Sequence, residues 1–397
     1  MPLQINLKEL KLIPFCMMFM IIVQASIDVS EVEGMQLISY AMLGVVILSF
    51  LILGFFETRG RFISMETALI SLFLFILIII SLISAADVKD AIYIMVRCVA
   101  LVMIFDYYKS NSKILVIAAA LAFGVCIFYN FINMLQNPSW MVESEKDARG
   151  FLLGGNYNQM GGRMICGLLT SALCLMYSKK WLLLVIPISI VCIFSLGAVA
   201  SMTSLTCVIG FILISLIPSR KIKVIACVGV ILAFILFQVL IVFNGNGIEN
   251  NETVRYFVED VLGKDITFTG RTEKWYAAGK LFEESPLIGY GNVSSEWYLA
   301  NLAPDAVGPH NFLCALLING GLVLFTLFCI IIYNSYKPIA KISDQYTITL
   351  VLGTAFFFIM QLMEMFPLFF NFYLFILMYF YPDYANVSKE KDNAEQQ

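Results

Sequence analysis

The chain has 397 residues, of which 60% are hydrophobic and only 13% are charged, and its formal net charge is −3. Soluble domains are about half apolar and a quarter charged, so this composition excludes an ordinary soluble domain, as does the mean hydropathy of +0.87. The slightly acidic balance argues against nucleic acid as a partner.

The apolar residues are gathered into runs, and a membrane-crossing helix needs about 20 such residues. We read twelve runs: Leu12–Ile27, Leu37–Phe56, Thr67–Ser84, Ala91–Phe105, Ile114–Leu135, Met160–Tyr177, Trp181–Leu196, Met202–Ile217, Val224–Phe243, Phe312–Ile332, Thr347–Leu362 and Leu368–Tyr381. The first lacks a clear small-x-small cleavage site, so we interpret it as an uncleaved helix. The sequence therefore predicts an all-α polytopic membrane protein of about 12 transmembrane helices. Residues 1–387 form one membrane domain, and 388–397 form a charged cytoplasmic tail.

Basic residues in the connections predict the orientation, because Lys and Arg favour the cytoplasmic side. With both termini inside, the inside segments hold most of the Lys and Arg, whereas short outside loops carry acids such as Asp28 and Asp87. Two outside segments, residues 136–159 and 244–311, also contain lysines and arginines. Either long loops cross regardless of charge, or these cations bind an anionic ligand.

The outside segment Asn244–Asn311, between the ninth and tenth runs, is too long for a simple connection. It is rich in aromatic and apolar residues, which argues against disorder. Helical spacing of those residues predicts two short helices, Thr253–Leu262 and Arg271–Glu284, with Pro286 ending the second. We expect a large helical extracytoplasmic loop.

Two residues of this loop are candidates for chemistry. Arg271 begins the second loop helix, where free N–H groups and the helix dipole favour an anion such as phosphate. The alternative is a solvated arginine, or one paired with Glu273 or Glu296. His310 is the only histidine and stands where the loop re-enters the membrane. A neutral imidazole there can accept a proton from a sugar hydroxyl, although a lone histidine is more often structural.

A glycine-rich segment from Arg149 to Arg163 precedes the sixth run. Its glycines permit close approach of a ligand to the backbone, and Asn156 and Asn158 can cap the following helix. Arg163 lies about one turn inside that helix, where an unpaired charge is costly. The alternative is a capped loop with Arg163 extended toward the water.

Another arginine, Arg97, lies well inside the fourth run, and we expect it to pair with Asp90, Asp87 or Glu364 rather than to do chemistry. We likewise expect Glu364 to form a structural ion pair rather than to do chemistry. No metal-binding or nucleotide-binding motif is present, so we expect neither a metal nor another cofactor.

Three stretches of the loop, followed by a glycine pair, resemble a known signature. They are Thr269–Trp275, containing Gly-Arg with Trp four residues after the Arg, then Pro286–Gly291, reading Pro-x-x-Gly-x-Gly, then His310–Leu313, and Gly320–Gly321. Together they resemble the bacterial O-antigen ligase and O-antigen polymerase superfamily. The resemblance covers about fifty residues, and the hydrophobic layout extends it over most of the chain.

The resemblance implies a metal-independent glycosyltransferase whose donor is a polyprenyl diphosphate-linked glycan, in the bacterial inner membrane. It implies catalytic roles for Arg271 and His310, with Asn311 beside the histidine at the substrate. Arg149 is a weaker match to the family's Arg-Gly pair, and we place it, with Arg163, Asn156 and Asn158, among substrate-binding residues.

One position departs from the family pattern. Many ligases carry Ser-Arg between the seventh and eighth spans, whereas this chain has Leu205 where the arginine would be. The second diphosphate ligand must then be Arg149 or Arg163, which favours a repeat-unit polymerase, working with a chain-length regulator, over a lipid A-core ligase. Two other classes stay open: a flippase for lipid-linked oligosaccharides, although we find no internal repeat, and a scaffold protein.

Overall fold

The computed structural model describes residues 11–28, 35–56, 63–141, 152–243, 256 and 270–385. These parts of the chain are helical, and their only β contact is an isolated bridge between Ile27 and Leu153. The helices are α1 Leu12–Ser26, α2 Met35–Phe56, α3 Met65–Ile83, α4 Val88–Tyr107, α5 Ser112–Gln136, α6 Met160–Leu173, α7 Leu182–Ala198, α8 Met202–Leu216, α9 Arg220–Phe237, α10 Arg271–Glu284, α11 Ser295–Asn301, α12 Phe312–Tyr336, α13 Gln345–Met360 and α14 Leu368–Tyr379.

The protein is an integral membrane protein. Within the described residues, five helical segments are long and apolar enough to cross a bilayer, and six shorter helices are also apolar. Many large hydrophobic side chains lie on the outside of the bundle, among them Leu183, which is 84% exposed. Such a surface is suited to hydrocarbon rather than to water. The all-α prediction is confirmed, and the count of twelve spans stays a prediction.

Successive long helices run in alternating directions, so each of the two ends of the bundle collects connections that are distant in sequence. One end, called the site end below, joins three pairs of connections: Ile27 with Leu153, Asp87 with Asn292, and Gln159 with Met365. The opposite end is held by polar contacts of its own: Ser64 with Asp106, Glu66 with Ser335, and Tyr381 with Asp344.

The turn Pro286–Gly291 docks onto a break in helix α12. Four backbone hydrogen bonds join the two segments: Tyr290 N to Ile318 O at 2.8 Å, Gly291 N to Asn319 O at 2.8 Å, Leu322 N to Pro286 O at 2.8 Å, and Val323 N to Leu287 O at 3.1 Å. The helix is interrupted at Gly321, whose φ of 54° and ψ of −153° are accessible only to glycine. The Pro-x-x-Gly-x-Gly turn and the glycine pair therefore form one structural unit.

We expect Gly321→Ala to destabilise the protein, because a Cβ there would stand 2.5 Å from the carbonyl carbon and oxygen of Leu287. The strained backbone alone should cost about 1–3 kcal/mol, which thermal unfolding of the purified protein will show as a lower Tm. The matched control is Gly279→Ala in helix α10, where a Cβ meets nothing within 4 Å and should be neutral or stabilising. Equal Tm values for the two variants would contradict this account of the docked turn.

The large loop is described only in part. The predicted helix Arg271–Glu284 is confirmed with the same bounds. Of the predicted helix Thr253–Leu262 only Tyr256 is described, and the predicted tail, 388–397, lies outside the described residues. A further short helix that the sequence pattern did not predict, Ser295–Asn301, follows the docked turn.

Candidate functional site

Helix α10 is anchored by Trp275, which fixes the direction of Arg271. The indole is 1% exposed and packs edge-on against Phe237, with ring centroids 6.1 Å apart. Residues four apart lie on the same face of a helix, so burying Trp275 turns Arg271 toward the bundle. Gly270, with φ of 74°, lets the chain enter the helix directly before the arginine. The spacing of four residues between Arg271 and Trp275 thus fixes the direction of the Arg271 guanidinium.

Arg271 and His310 converge on one carboxylate, that of Glu364. The Nη2 of Arg271 donates to Oε1 of Glu364 at 2.8 Å, and Nδ1 of His310 lies 3.6 Å from Oε2. Glu364 is in the segment that follows helix α13, at the site end of the bundle. The side chains of Arg271 and His310 remain 22% and 23% exposed, so each can also contact a ligand.

His310 sits in a strained turn that the next residue secures. Its φ is 48°, in the left-handed region that non-glycine residues seldom adopt. Asn311 is buried and caps helix α12 by accepting from the N–H of Cys314 at 3.0 Å. The amide of Asn311 also bonds Gln238 at 2.9 Å and the Leu362 carbonyl at 3.2 Å. These contacts support a positioning role for Asn311, which holds His310 at the bundle edge.

A second cation lies on the same helix near this group. Lys274 is largely buried and donates to Asp305 at 3.0 Å. The hydrogen bond and the charge of the Lys274 ammonium hold the pKa of the Asp305 carboxyl below its usual value. Asp305 therefore stays ionised at neutral pH and ties the loop before His310 to helix α10.

The segment before helix α6 is ordered by one of its two candidate asparagines. The Oδ1 of Asn156 accepts from the N–H groups of Asn158, at 3.0 Å, and Gln159, at 2.9 Å, a turn that asparagine commonly stabilises. Asn158 Oδ1 in turn lies 3.5 Å from Ser201 Oγ. Both asparagines face the site end but are not in contact with Arg271 or His310 in any of these bonds.

Arg163 is buried within the bundle. Its Nη1 donates to the carbonyl and the side chain of Gln159 at 2.9 and 3.1 Å, and its guanidinium lies 4.9 Å from the ring centroid of Phe370. Gln159 in turn donates to the Met365 carbonyl at 2.7 Å. Met365 directly follows Glu364, the partner of Arg271. Arg163 is therefore linked to Arg271 through the side chain of Gln159, the backbone at Met365 and the side chain of Glu364. Arg149 lies outside the described residues.

The expected partners of the intramembrane charges were wrong. Arg97 makes no ion pair with Asp87, Asp90 or Glu364 among the described residues, and instead its guanidinium lies 3.9 Å from the ring centroid of Tyr93. Glu364 pairs with Arg271, for which the sequence predicts an anionic ligand or, as the alternative, solvent exposure or a pairing with Glu273 or Glu296. The signal for Glu364 was available, because a carboxylate next to an apolar span needs a cation, and Arg271 lies in a loop of the same side.

A pocket with aromatic walls lies at the same end of the molecule. It is lined by the connection 84–87 between helices α3 and α4 and by Tyr290, Val293, Ser294 and Trp297. The rings of Tyr290 and Trp297 are 5.1 Å apart. No cluster of three or more His, Cys, Asp or Glu side chains that could hold a metal occurs in the described part of the chain.

Comparison with known proteins yields one family. The family model described as Wzy_C, O-antigen ligase, matches residues 181–329, which span helices α7 to α12 and include Arg271 and His310. No curated protein matches, and no solved structure matches. The family acts on lipid-linked glycans in the membrane, as a glycosyltransferase-like enzyme.

Proposed function

We propose, on the premise that the chain belongs through residues 181–329 to the O-antigen ligase and O-antigen polymerase superfamily, that it polymerises polyprenyl diphosphate-linked oligosaccharide repeat units into a surface polysaccharide. Donor and acceptor are both lipid-linked, and the product is an O-antigen, capsule or exopolysaccharide. The alternative within the superfamily is a ligase that transfers the glycan to a lipid or wall acceptor.

The observation that carries this proposal is the meeting of Arg271 and His310 at Glu364. In the reaction, an acceptor hydroxyl oxygen bonds to the anomeric carbon of the donor while the bond from that carbon to the diphosphate oxygen breaks. The diphosphate leaves with the electron pair, and the hydroxyl proton passes to His310. A cation beside the leaving group lowers the barrier because negative charge develops there in the transition state.

Each residue of the group has a distinct task. Arg271 binds the departing diphosphate through the N–H groups that Glu364 does not occupy, since a guanidinium has five donors. His310 orients the acceptor hydroxyl and takes its proton. Glu364 fixes the positions of the Arg271 and His310 side chains relative to each other. We propose that guanidinium groups carry the leaving-group charge in place of a metal ion.

A second diphosphate ligand comes from the first turn of helix α6 or from the segment before it. Leu205 stands where many ligases have an arginine, and it packs among apolar residues of the core. Arg163 is connected to the Arg271 group through Gln159 and Met365, which supports it as that ligand. Arg149 stays the other candidate. The missing arginine favours a polymerase over a lipid A-core ligase.

The site end faces the outside of the cytoplasmic membrane in this proposal, with both termini in the cytoplasm. The distribution of basic residues supports that orientation, because most of the described lysines and arginines lie at the opposite end, in connections or in the first turn of a helix. They are Lys109, Lys113, Lys179, Lys180, Arg220, Lys221, Lys223, Lys337 and Lys341. The lipid tail then lies along the helices, and the glycan reaches the aromatic pocket. A chain-length regulator is a partner on the same face.

Deleting the gene tests this proposal. A polymerase mutant should accumulate single repeat units on the lipid carrier or on their acceptor at the outer face, whereas a ligase mutant should retain long polymer on the lipid carrier. Failure of any unit to reach the outer face would contradict both assignments and identify a flippase. Gel analysis of surface and lipid-linked glycans, with the wild-type gene restored on a plasmid, separates these outcomes.

A further inference from the structure

Helix α9 ends in a widened turn beside the candidate site. Residues Gln238–Val242 form a π-helical turn, closed by a hydrogen bond from Phe243 N to Gln238 O at 3.0 Å. Turns of this kind are rare, and where they interrupt or extend an α-helix they are frequently found at functional sites. The extra residue in the turn changes which side chains face inward, so the end of helix α9 does not continue the face of the helix before it.

Gln238, the first residue of this turn, is a polar side chain in an apolar setting. In the run Val224–Phe243 no other residue carries a charged or an amide side chain. The side chain of Gln238 is 3% exposed. A buried amide in a membrane-spanning run is costly unless its donors and its acceptor are paired, so the partner of Gln238 indicates its role.

That partner is Asn311, the residue after His310. The two amides bond reciprocally: Asn311 Nδ2 donates to Gln238 Oε1 at 2.9 Å, and Gln238 Nε2 donates to Asn311 Oδ1 at 3.3 Å. Together with its bonds to the Cys314 N–H and the Leu362 carbonyl, Asn311 accepts twice and donates twice, which is the full capacity of an asparagine amide. Gln238 thereby fixes the amide in one orientation, directly after the strained turn at His310.

The preceding residue of helix α9 contacts the other half of the site. The ring of Phe237 packs edge-on against Trp275, with centroids 6.1 Å apart, and Trp275 lies one turn from Arg271 on the same face of helix α10. Two consecutive residues of helix α9 therefore contact the two segments that carry Arg271 and His310. The end of helix α9 is a common support that fixes the separation of these two side chains.

We propose that Gln238 is a positioning residue for glycan transfer. Through Asn311 it holds the His310 imidazole where the acceptor hydroxyl must lie relative to the diphosphate bound by Arg271. Gln238 itself touches neither substrate, and its effect on the reaction rests on the proposed function. Its effect on the place of the imidazole does not, because that follows from the reciprocal amide bonds alone.

Nuclear magnetic resonance of the histidine ring measures that effect without any reaction. His310 is the only histidine in the chain, so histidine-labelled protein carrying a histidine-free tag shows a single imidazole. The variant is Gln238→Met, which keeps the length of the side chain and removes its hydrogen bonds. It should fold, because Asn311 keeps Cys314 and Leu362 as partners. We expect shifted or doubled ring signals in Gln238→Met, compared with one set in the wild type.

Ser335→Ala is the matched control. Ser335 is fully buried near the end of helix α12 that is remote from Asn311, and it donates to Glu66 at 2.7 Å. Its loss also removes a buried hydrogen bond, while Glu66 keeps the bond from Asn334. Ser335→Ala should therefore lower Tm, as Gln238→Met does, but leave the ring signals and the transfer rate as in the wild type. Ring signals in Gln238→Met identical to those of the wild type would overturn the proposal.

Kinetics then separate positioning from general destabilisation. Gln238→Met should lower kcat for transfer by about tenfold to a hundredfold, the cost of misplacing a reacting group by a fraction of an ångström to one ångström. The KM for the lipid-linked donor should stay within about twofold of the wild-type value, because Arg271 and its support by Trp275 are unchanged. A raised KM with an unchanged kcat would contradict a role through His310.

A double-mutant cycle completes the test. If Gln238 acts through His310, then adding Gln238→Met to His310→Asn should cause no further loss of transfer beyond about twofold. The same loss in both backgrounds would show a general structural effect and would overturn the proposal. Failure of the proposed function is distinguishable, because transfer that survives in Arg271→Ala contradicts that function and leaves the comparison of ring signals in force.

Discussion

Arg271→Ala should reduce glycan transfer by about a hundredfold to a thousandfold, the cost of removing one preorganised donor from a developing oxyanion. Its guanidinium is held by Glu364 at 2.8 Å and by the buried Trp275 one turn away, so nothing else in this group can take its place. In cells we expect no polymer, although the variant protein reaches the membrane in normal amounts. The measurement is polymer length and quantity on a glycan gel, beside an immunoblot of the membrane fraction.

Lys280→Ala is the matched control for this variant. Lys280 lies on the same helix as Arg271 and also carries one positive charge, but it is exposed and pairs with Glu283 at 2.7 Å. Exposed pairs of this kind contribute little, so the polymer should be unchanged. Normal polymer in Arg271→Ala, with the protein present in the membrane, would remove Arg271 from the mechanism.

His310→Asn should lower the transfer rate by about a hundredfold or more, as expected for the loss of a general base. Asparagine is chosen because it tolerates a positive φ better than most residues, and the φ of His310 is 48°. The variant should therefore fold with the Tm of the wild type, which separates loss of chemistry from loss of structure. The transfer rate is measured on purified protein with lipid-linked oligosaccharide.

The companion variant for this test is His310→Gln, which keeps a similar side-chain length but fits the left-handed turn less well. It should lose transfer to the same extent and also lose some stability. Transfer by His310→Asn within a few-fold of wild type would show that His310 only shapes the turn before helix α12.

Local sequence patterns predicted the parts of the site that depend on one helix at a time. The helix Arg271–Glu284 was predicted with the bounds that the structure has, because helical spacing of apolar residues and Pro286 are local signals. The placement of His310 directly before a long apolar helix followed from the length of that helix. Arg271 and His310 were expected at the same end of the bundle because both lie in one loop between two apolar runs.

Contacts between distant segments could not be predicted in the same way. Glu364 is separated from Arg271 by 93 positions, and the choice between Arg271 and Arg97 as its partner depends on how helices α4, α10 and α13 pack. The sequence favoured a structural pairing for Arg97, whereas the structure stacks it on Tyr93. Charge pairing within a bundle is set by rotation of each helix, which hydropathy does not report.

The interruption of helix α12 was also hidden in the sequence. The run Phe312–Ile332 reads as one continuous apolar helix, and glycine pairs occur in uninterrupted helices as well. Only the docked turn 286–291 supplies the backbone partners that make a break at Gly321 favourable. Gly320 and Gly321 belong to the signature that resembles the superfamily, but the signature does not show that they permit a break in the helix.

Release of polyprenyl diphosphate measures the central claim most directly. Purified protein in vesicles is given lipid-linked oligosaccharide extracted from the deletion strain, and free polyprenyl diphosphate is quantified beside elongated glycan. The wild type should release one polyprenyl diphosphate for each unit transferred, and Arg271→Ala should release almost none. Movement of the glycan across the membrane without release of polyprenyl diphosphate would contradict the account.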